Sequence, residues 1–158
     1  MTQNTSKTNI INNFYTAFSN GDYTKMSELY HDQITFKDDV FGELHGDAVG
    51  KMWEMLLSNK DAQFKLTFSD IHEKNNFVYA KWQASYYYGP KKRYVINNVN
   101  AKFTFSEGKI ILHEDQFNLW KWSKQAIGLP GVILGWTKFF KSKLQGEANK
   151  KLNNFINS

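Results

Sequence analysis

The sequence predicts an α+β fold from three observations: helical periodicity as far as Asn59, a switch to period-two alternation from Ala62, and tight turns between four consecutive alternating runs. Four strands joined by short turns form an antiparallel meander with one apolar face. That face must be covered, and the leading helices are the available cover.

Thr8–Ser19 places Ile10, Ile11, Phe14, Tyr15 and Phe18 at helical spacings, and Asn20-Gly21-Asp22 ends the run. A second short helix is expected over Tyr23–Tyr30, followed by a short strand in "ITFKDDVFGELHG" that runs into a glycine-punctuated loop. "DAVGKMWEMLLSN" reads as a third helix with Val49, Met52, Trp53, Leu56 and Leu57 on one flank. The strands follow. Phe64, Leu66 and Phe68 share one face, as do Val78, Ala80, Trp82, Ala84, Tyr86 and Tyr88 in the next run. Val95, Asn97, Val99, Ala101, Phe103 and Phe105 do the same in the third, and Ile111, His113, Asp115 and Phe117 in the fourth. "NN" at 75–76, "GPKKR" and "SEG" supply the reversals. Beyond Trp122 the chain turns helical again, interrupted by "GLPG" at 128–131, with Val132, Trp136, Phe139, Phe140 and Leu144 expected on one side. Residues 1–122 are therefore expected to form the α+β domain and residues 123–158 a helical extension packed on it.

The 158 residues contain no cysteine, which excludes disulfides, thiolate nucleophiles and cysteine-ligated metals and suits a reducing cytoplasm. The N-terminal stretch lacks the pattern of a secretory leader, so a cytoplasmic protein is expected. The net charge of +5 is not spread evenly. Residues 1–120 hold 13 Lys/Arg against 14 Asp/Glu, and residues 121–158 hold 7 against 1. A neutral body with a basic tail gives no groove-wide positive field, so nucleic acid is not an expected partner. The tail's cationic and apolar residues would suit an anionic membrane surface. The stronger expectation is that Trp136, Phe139 and Phe140 pack over the body while the lysines solvate its outside.

The candidate site begins with His113 and Asp115, two residues apart on the inward face of the last strand between Ile111 and Phe117. A buried acid requires a partner or a wet cavity, so the pair is either a structural hydrogen bond or part of a ligand site. Asp38 follows Phe36 on the same strand face, and Asn97 falls among Val95, Val99 and Ala101. Trp53, Trp82 and Tyr86 bring apolar bodies with polar tips. The four histidines lie in separate segments and only His113 has a carboxylate at ligand-like spacing, so no metal site and no cofactor is expected.

Two stretches, "FYTAFSNGDYTKMSELYHDQITFKDDVFGELHG" and "FSEGKIILHEDQFN", together resemble the nuclear transport factor 2-like superfamily in its SnoaL-like and ketosteroid isomerase-like branch. The resemblance spans about residues 8–122 and implies a bent sheet wrapped by helices into a cone, an apolar cavity at the wide end, and a homodimer. It places Asp38 on the isomerases' catalytic base, but puts Phe14 and Ala101 (or Asn100, without a gap) where their oxyanion-holding donors stand. Steroid-type isomerisation therefore does not carry over. The expectation is a pocket for a small apolar molecule, with Asp38, His113 and Asp115 as acid/base candidates and Phe14, Trp53, Trp82, Tyr86, Asn97, Ala101 and Phe117 as its walls. Proton abstraction, hydration or ring opening would be the chemistry. The alternative is a dimeric carrier without catalysis, its outward strand face of Tyr79, Tyr87, Ile96 and Leu112 forming the interface.

Overall fold

The computed structural model describes residues 5–158; the first four residues of the N-terminal stretch read above lie outside them. The element order is α1 (Lys7–Ser19), α2 (Tyr23–Glu28), β1 (Tyr30–Asp38), β2 (Gly42–His45), α3 (Asp47–Ser58), β3 (Lys65–Lys74), β4 (Phe77–Tyr88), β5 (Arg93–Ser106), β6 (Lys109–Gln116), α4 (Leu119–Ala126), α5 (Leu129–Leu134) and α6 (Lys138–Ile156). Among the described residues, no helix is long and apolar enough to cross a membrane.

The fold is α+β, as the sequence predicts, with a curved, unclosed six-stranded sheet in the order β2-β1-β6-β5-β4-β3. The meander β3 to β6 is antiparallel throughout. Two details differ from expectation. The glycine-punctuated loop contains the four-residue strand β2, and β1 lies beside β6 in parallel. Neither follows from periodicity: four residues are too few to show alternation, and strand partners distant in sequence leave no local mark. Asn75 and Asn76 both adopt positive φ, 53° and 65°, as a two-residue hairpin turn requires.

The concave face of the sheet is ordered in rows. Val78, Phe103, His113 and Phe36 lie side by side across β4, β5, β6 and β1, and the next row holds Ala80, Ala101 and Asp115. Helix α1, capped by the Ser6 hydroxyl on the Asn9 N–H, covers these rows with Phe14, Tyr15 and Phe18. Further along β4 and β5 the rows are Trp82 with Val99 and Ala84 with Asn97; Phe18 and Tyr15 of α1 still reach Trp82, at 5.3 Å and 6.5 Å between ring centres. A second apolar cluster of Val95, Trp122, Ala126 and Leu144 ties β5 to α4 and α6.

The C-terminal region corrects one expectation. Phe140 is half-buried and Leu144 buried, but Trp136 and Phe139 are 73% and 74% exposed, and Val132 is exposed too. The reason lies in the contact between α4 and α5. A methyl group added at Gly131 would collide with the Ser123 carbonyl, and one at Gly135 with Ser123 and the Gly131 carbonyl. Helix α5 thus turns its glycine side inward, and its large residues have nowhere to go but out.

This packing gives a matched test. Gly131→Ala is expected to lower stability by about 1–3 kcal/mol through overpacking against Ser123. Gly146→Ala, at a helical position with open space around it, is expected to be neutral or to raise stability by up to about 1 kcal/mol. Urea denaturation midpoints measure both.

Candidate functional site

A cavity of about 420 Å³ opens over the rows of Trp82 with Val99 and Ala84 with Asn97. Its walls are apolar and largely aromatic: Phe18 from α1, Phe36 from β1, Met52 and Trp53 from α3, Trp82 and Tyr86 from β4, Val99 from β5, and Phe117 and Trp122 at and beyond the end of β6. Helix α6 closes one side with Leu144 and Ala148. Lys60, Asp61, Glu147 and Lys151 are exposed and form a charged rim. Ala84 opposite Asn97 leaves the room that a larger pair would fill.

Two carboxyl groups face this space. The β1/β6 register pairs Phe36 with His113 and Lys37 with Glu114, so the next step sets Asp38 beside Asp115 on the inward face. Asp38 Oδ1 accepts from the backbone N–H groups of Val40 (2.9 Å) and Phe41 (2.6 Å) in the turn to β2. Among the described residues its second oxygen has no protein hydrogen bond. Burial pushes the Asp38 carboxyl up to about 7; the Phe41 N–H opposes this and the negative charge of Asp115 adds to it.

Asp115, 6% exposed, is held from below. Its Oδ1 accepts from His113 Nε2 at 2.9 Å and from Trp82 Nε1 at 3.4 Å. On its other side His113 Nδ1 meets the Tyr30 hydroxyl at 2.8 Å, and that hydroxyl accepts from Trp53 Nε1 at 2.9 Å. One direction is fixed by chemistry alone: an indole only donates, so the Tyr30 oxygen accepts from Trp53. A carboxylate only accepts, so with Asp115 ionised Nε2 donates to it, and a neutral imidazole then takes the Tyr30 hydrogen at Nδ1.

His113 itself does not reach the cavity. It is 1% exposed, its ring 4.4 Å from that of Phe103, 5.0 Å from Phe36 and 5.5 Å from Phe14. The expected trio is therefore brought together, but as two carboxyls on the cavity wall and a histidine beneath one of them. Trp53, Trp82, Tyr86, Asn97 and Phe117 line the cavity where the sequence placed them. Phe14 and Ala101, expected as walls, do not: Phe14 is sealed between α1 and the His113 row, and Ala101 lies between Ala80 and Asp115 under the same helix. Ile111 is also misplaced. A bulge between β5 and β6 pairs Ile110 with Phe105 and Leu112 with Thr104, so Ile110 takes the inward position.

Sequence reasoning missed Tyr30, which it assigned to α2. Tyr30, Ile34 and Phe36 are the buried residues of β1, but its register against β6 breaks between Tyr30 and Thr35, so no unbroken alternation leads back to Tyr30. It named Tyr86 and Asn97, and the structure adds what their polar groups do. Tyr86 oxygen accepts from Trp122 Nε1 at 3.0 Å, leaving its own hydrogen without a protein acceptor among the described residues. The Asn97 carboxamide, a diagonal neighbour of Tyr86 across β4 and β5, likewise has no protein partner there. Phe14 and Ala101 offer no donor, yet the wall carries two.

The turn that holds Asp38 is itself gripped by α6. Gln145 Nε2 donates to the Asp39 carbonyl at 3.1 Å, Asn149 Nδ2 to the Phe41 carbonyl at 2.9 Å, and Lys141 pairs with Asp39 at 2.7 Å. No group of three or more His, Asp or Glu side chains among the described residues is arranged to hold a metal ion.

The family model of the SnoaL-like domain matches residues 11–113. The chain belongs to the SnoaL-like family. Solved structures agree on the fold. One is a protein from Catenulispora acidiphila with a ketosteroid isomerase-like fold, in complex with trimethylamine: it is 15% identical, with 81% of this chain and 96% of that one covered and a TM-score of 0.64. SalBIII, described as an epoxide hydrolase/cyclase-like enzyme in pyran ring formation in the polyether salinomycin, is 17% identical over 75% of this chain and 95% of its own, with a TM-score of 0.63. Bal32a, from a soil-derived mobile gene cassette, is 17% identical over 74% and 93%, with a TM-score of 0.65. At such identities the likeness is one of fold. No curated protein matches the chain. The SnoaL-like match ends at His113, so helices α4 to α6, with their share of the cavity wall, lie outside it.

Two buried tyrosines test the hydrogen-bond chain. Tyr30→Phe strands both the Trp53 N–H and His113 Nδ1 and is expected to cost about 2–4 kcal/mol. Tyr15 is equally buried, but its hydroxyl has no partner, so Tyr15→Phe is expected to be neutral or stabilising by about 1 kcal/mol. Thermal and urea melts of the two variants should move in opposite directions or leave only Tyr30→Phe affected.

The Asp38 carboxyl gives a pH signature. Between its ordinary value of 3.8 and its folded value of about 7, the folded chain holds a proton that the unfolded chain releases. Stability therefore falls as pH rises through that window, and the whole cost is present above it. Asp38→Asn keeps the acceptor for the Val40 and Phe41 N–H groups without the charge. It is expected to be more stable than the parent by about 2–4 kcal/mol at pH 8 and to match it near pH 4, in melts run across that range.

Proposed function

We propose that the protein binds a small, predominantly apolar molecule carrying an oxygen function in this cavity and exchanges a proton with it through Asp38. One observation carries the reading: a carboxyl raised to about 7, with one oxygen locked by two backbone N–H groups and the other turned toward an apolar cavity of about 420 Å³. A group titrating near neutral pH is populated in both forms there and can take a proton and return it. The volume lies within the range of small-molecule sites, about 300–1,000 Å³.

The other residues take supporting roles. The Tyr86 hydroxyl and the Asn97 carboxamide would donate to the substrate oxygen as negative charge develops on it, the Tyr86 donor strengthened by the Trp122 N–H it accepts. Asp115 would set the charge beside Asp38, and His113 would act through Asp115 as a positioning residue. Proton abstraction next to a carbonyl and opening of an epoxide both use this arrangement, and SalBIII's description as epoxide hydrolase/cyclase-like supports the second.

The test is a screen of apolar carbonyl and epoxide substrates with the parent protein, Asp38→Asn and His113→Gln. Asp38→Asn is expected to lose about 10²- to 10⁴-fold in kcat/KM with binding preserved, and the parent's pH profile should bend near 7. His113→Gln should shift that bend and reduce the rate less. Turnover unaffected by Asp38→Asn overturns the catalytic assignment. A ligand that co-purifies by native mass spectrometry and is never converted establishes the carrier instead.

A further inference from the structure

The display on α5 has no role in the cavity. Leu129, Val132, Ile133, Leu134, Trp136 and Phe139 are all exposed within eleven residues of chain. This is not a helix whose apolar side failed to find the core. Gly131 and Gly135 seat α5 directly on Ser123 of α4, so the large side chains are held outward by backbone contact.

The backbone of this projection is prepared for an apolar medium. The last four carbonyls of a helix ordinarily turn to water. In α5 each has a protein donor: Gly131 O takes the Gly135 N–H at 3.0 Å, and Val132 O takes Trp120 Nε1 at 3.1 Å. Ile133 O takes Trp136 Nε1 at 3.0 Å, and Leu134 O takes the Thr137 N–H at 2.9 Å and its hydroxyl at 2.7 Å. Internal satisfaction of these four carbonyls lowers the cost of taking this end of the helix out of water.

Along this stretch of chain the charge has one sign, and Asp39, reaching it from the β1–β2 turn, is paired with Lys141. No Asp or Glu occurs between Asp115 and Glu147. Lys121, Lys124, Lys138 and Lys143 have no carboxylate partner among the described residues, and Lys124 lies 4.0 Å from the centre of the Trp120 ring. Unpaired lysines around an apolar tip complement anionic headgroups above acyl chains, with tryptophan at the boundary. A second copy of the chain would bring the same lysines face to face, which disfavours it.

We propose that α5 and the adjoining turn, Leu129 to Phe139, dock the protein on an anionic lipid surface, with the aliphatic tip inserted and the lysines at headgroup level.

The test is flotation of the full-length protein with vesicles of phosphatidylcholine alone and of phosphatidylcholine mixed with phosphatidylserine, at low and high salt. The parent is expected to float with the mixed vesicles at low salt and far less with phosphatidylcholine. Ile133→Asp combined with Phe139→Asp changes only exposed positions and should weaken binding by about tenfold or more while melting like the parent. Lys138→Glu combined with Lys143→Glu should also weaken it and reduce its salt dependence. Failure of the parent to float with the anionic vesicles, or equal flotation of the double aspartate variant, overturns the proposal. So does a parent that sediments as a dimer and an aspartate variant that sediments as a monomer, with neither bound to lipid; that result gives the patch to a second copy.

Discussion

The floor of the cavity depends on a single buried hydrogen-bond chain, from Trp53 through Tyr30 and His113 to Asp115. Each member would be costly alone among these aromatic rings, and each is made tolerable by the next. The chain draws on three distant parts of the sequence: α3, the start of β1 and β6. It therefore fixes how α3 lies against the sheet and which way the imidazole is turned. With that orientation set, Asp115 must present its remaining oxygen upward, because Oδ1 is occupied by His113 and Trp82.

Asp38 is placed by different means. Its strand brings it beside Asp115, and a tight turn spends one oxygen on backbone amides. The contrast matters for chemistry. One carboxyl is anchored by side chains below the cavity, the other by a turn at its edge, and the first raises the proton affinity of the second. Two acids in unlike surroundings can divide the work of holding charge and moving a proton.

The meander, the leading helices and most of the apolar face were legible in the sequence because they rest on local rules: alternation, helical spacing, and turn residues such as Asn75 and Asn76. Most of the cavity wall was legible for the same reason, since Trp82, Tyr86 and Asn97 fall on one face of their strands. What escaped depends on partners far along the chain. The bulge that exchanges Ile110 for Ile111 is set by the pairing of β5 with β6. Tyr30 is recognisable as a strand residue only once β1 lies against β6. Phe14 and Ala101 sit on the predicted faces, yet depth decided their place, and depth is not written in periodicity. The outward face of α5 inverted an ordinary assumption, because two glycines chose which side of the helix approached the protein.

The grip of Gln145, Asn149 and Lys141 on the Asp38 turn joins a tail that lies beyond the SnoaL-like match to the carboxyl whose proton affinity burial raises. Core and tail are for that reason not separable modules. Swapping the last forty or so residues for those of a relative would disturb the turn that sets the acidity of a side chain some hundred positions upstream, and an engineer who trimmed them as dispensable would be altering that carboxyl without touching it.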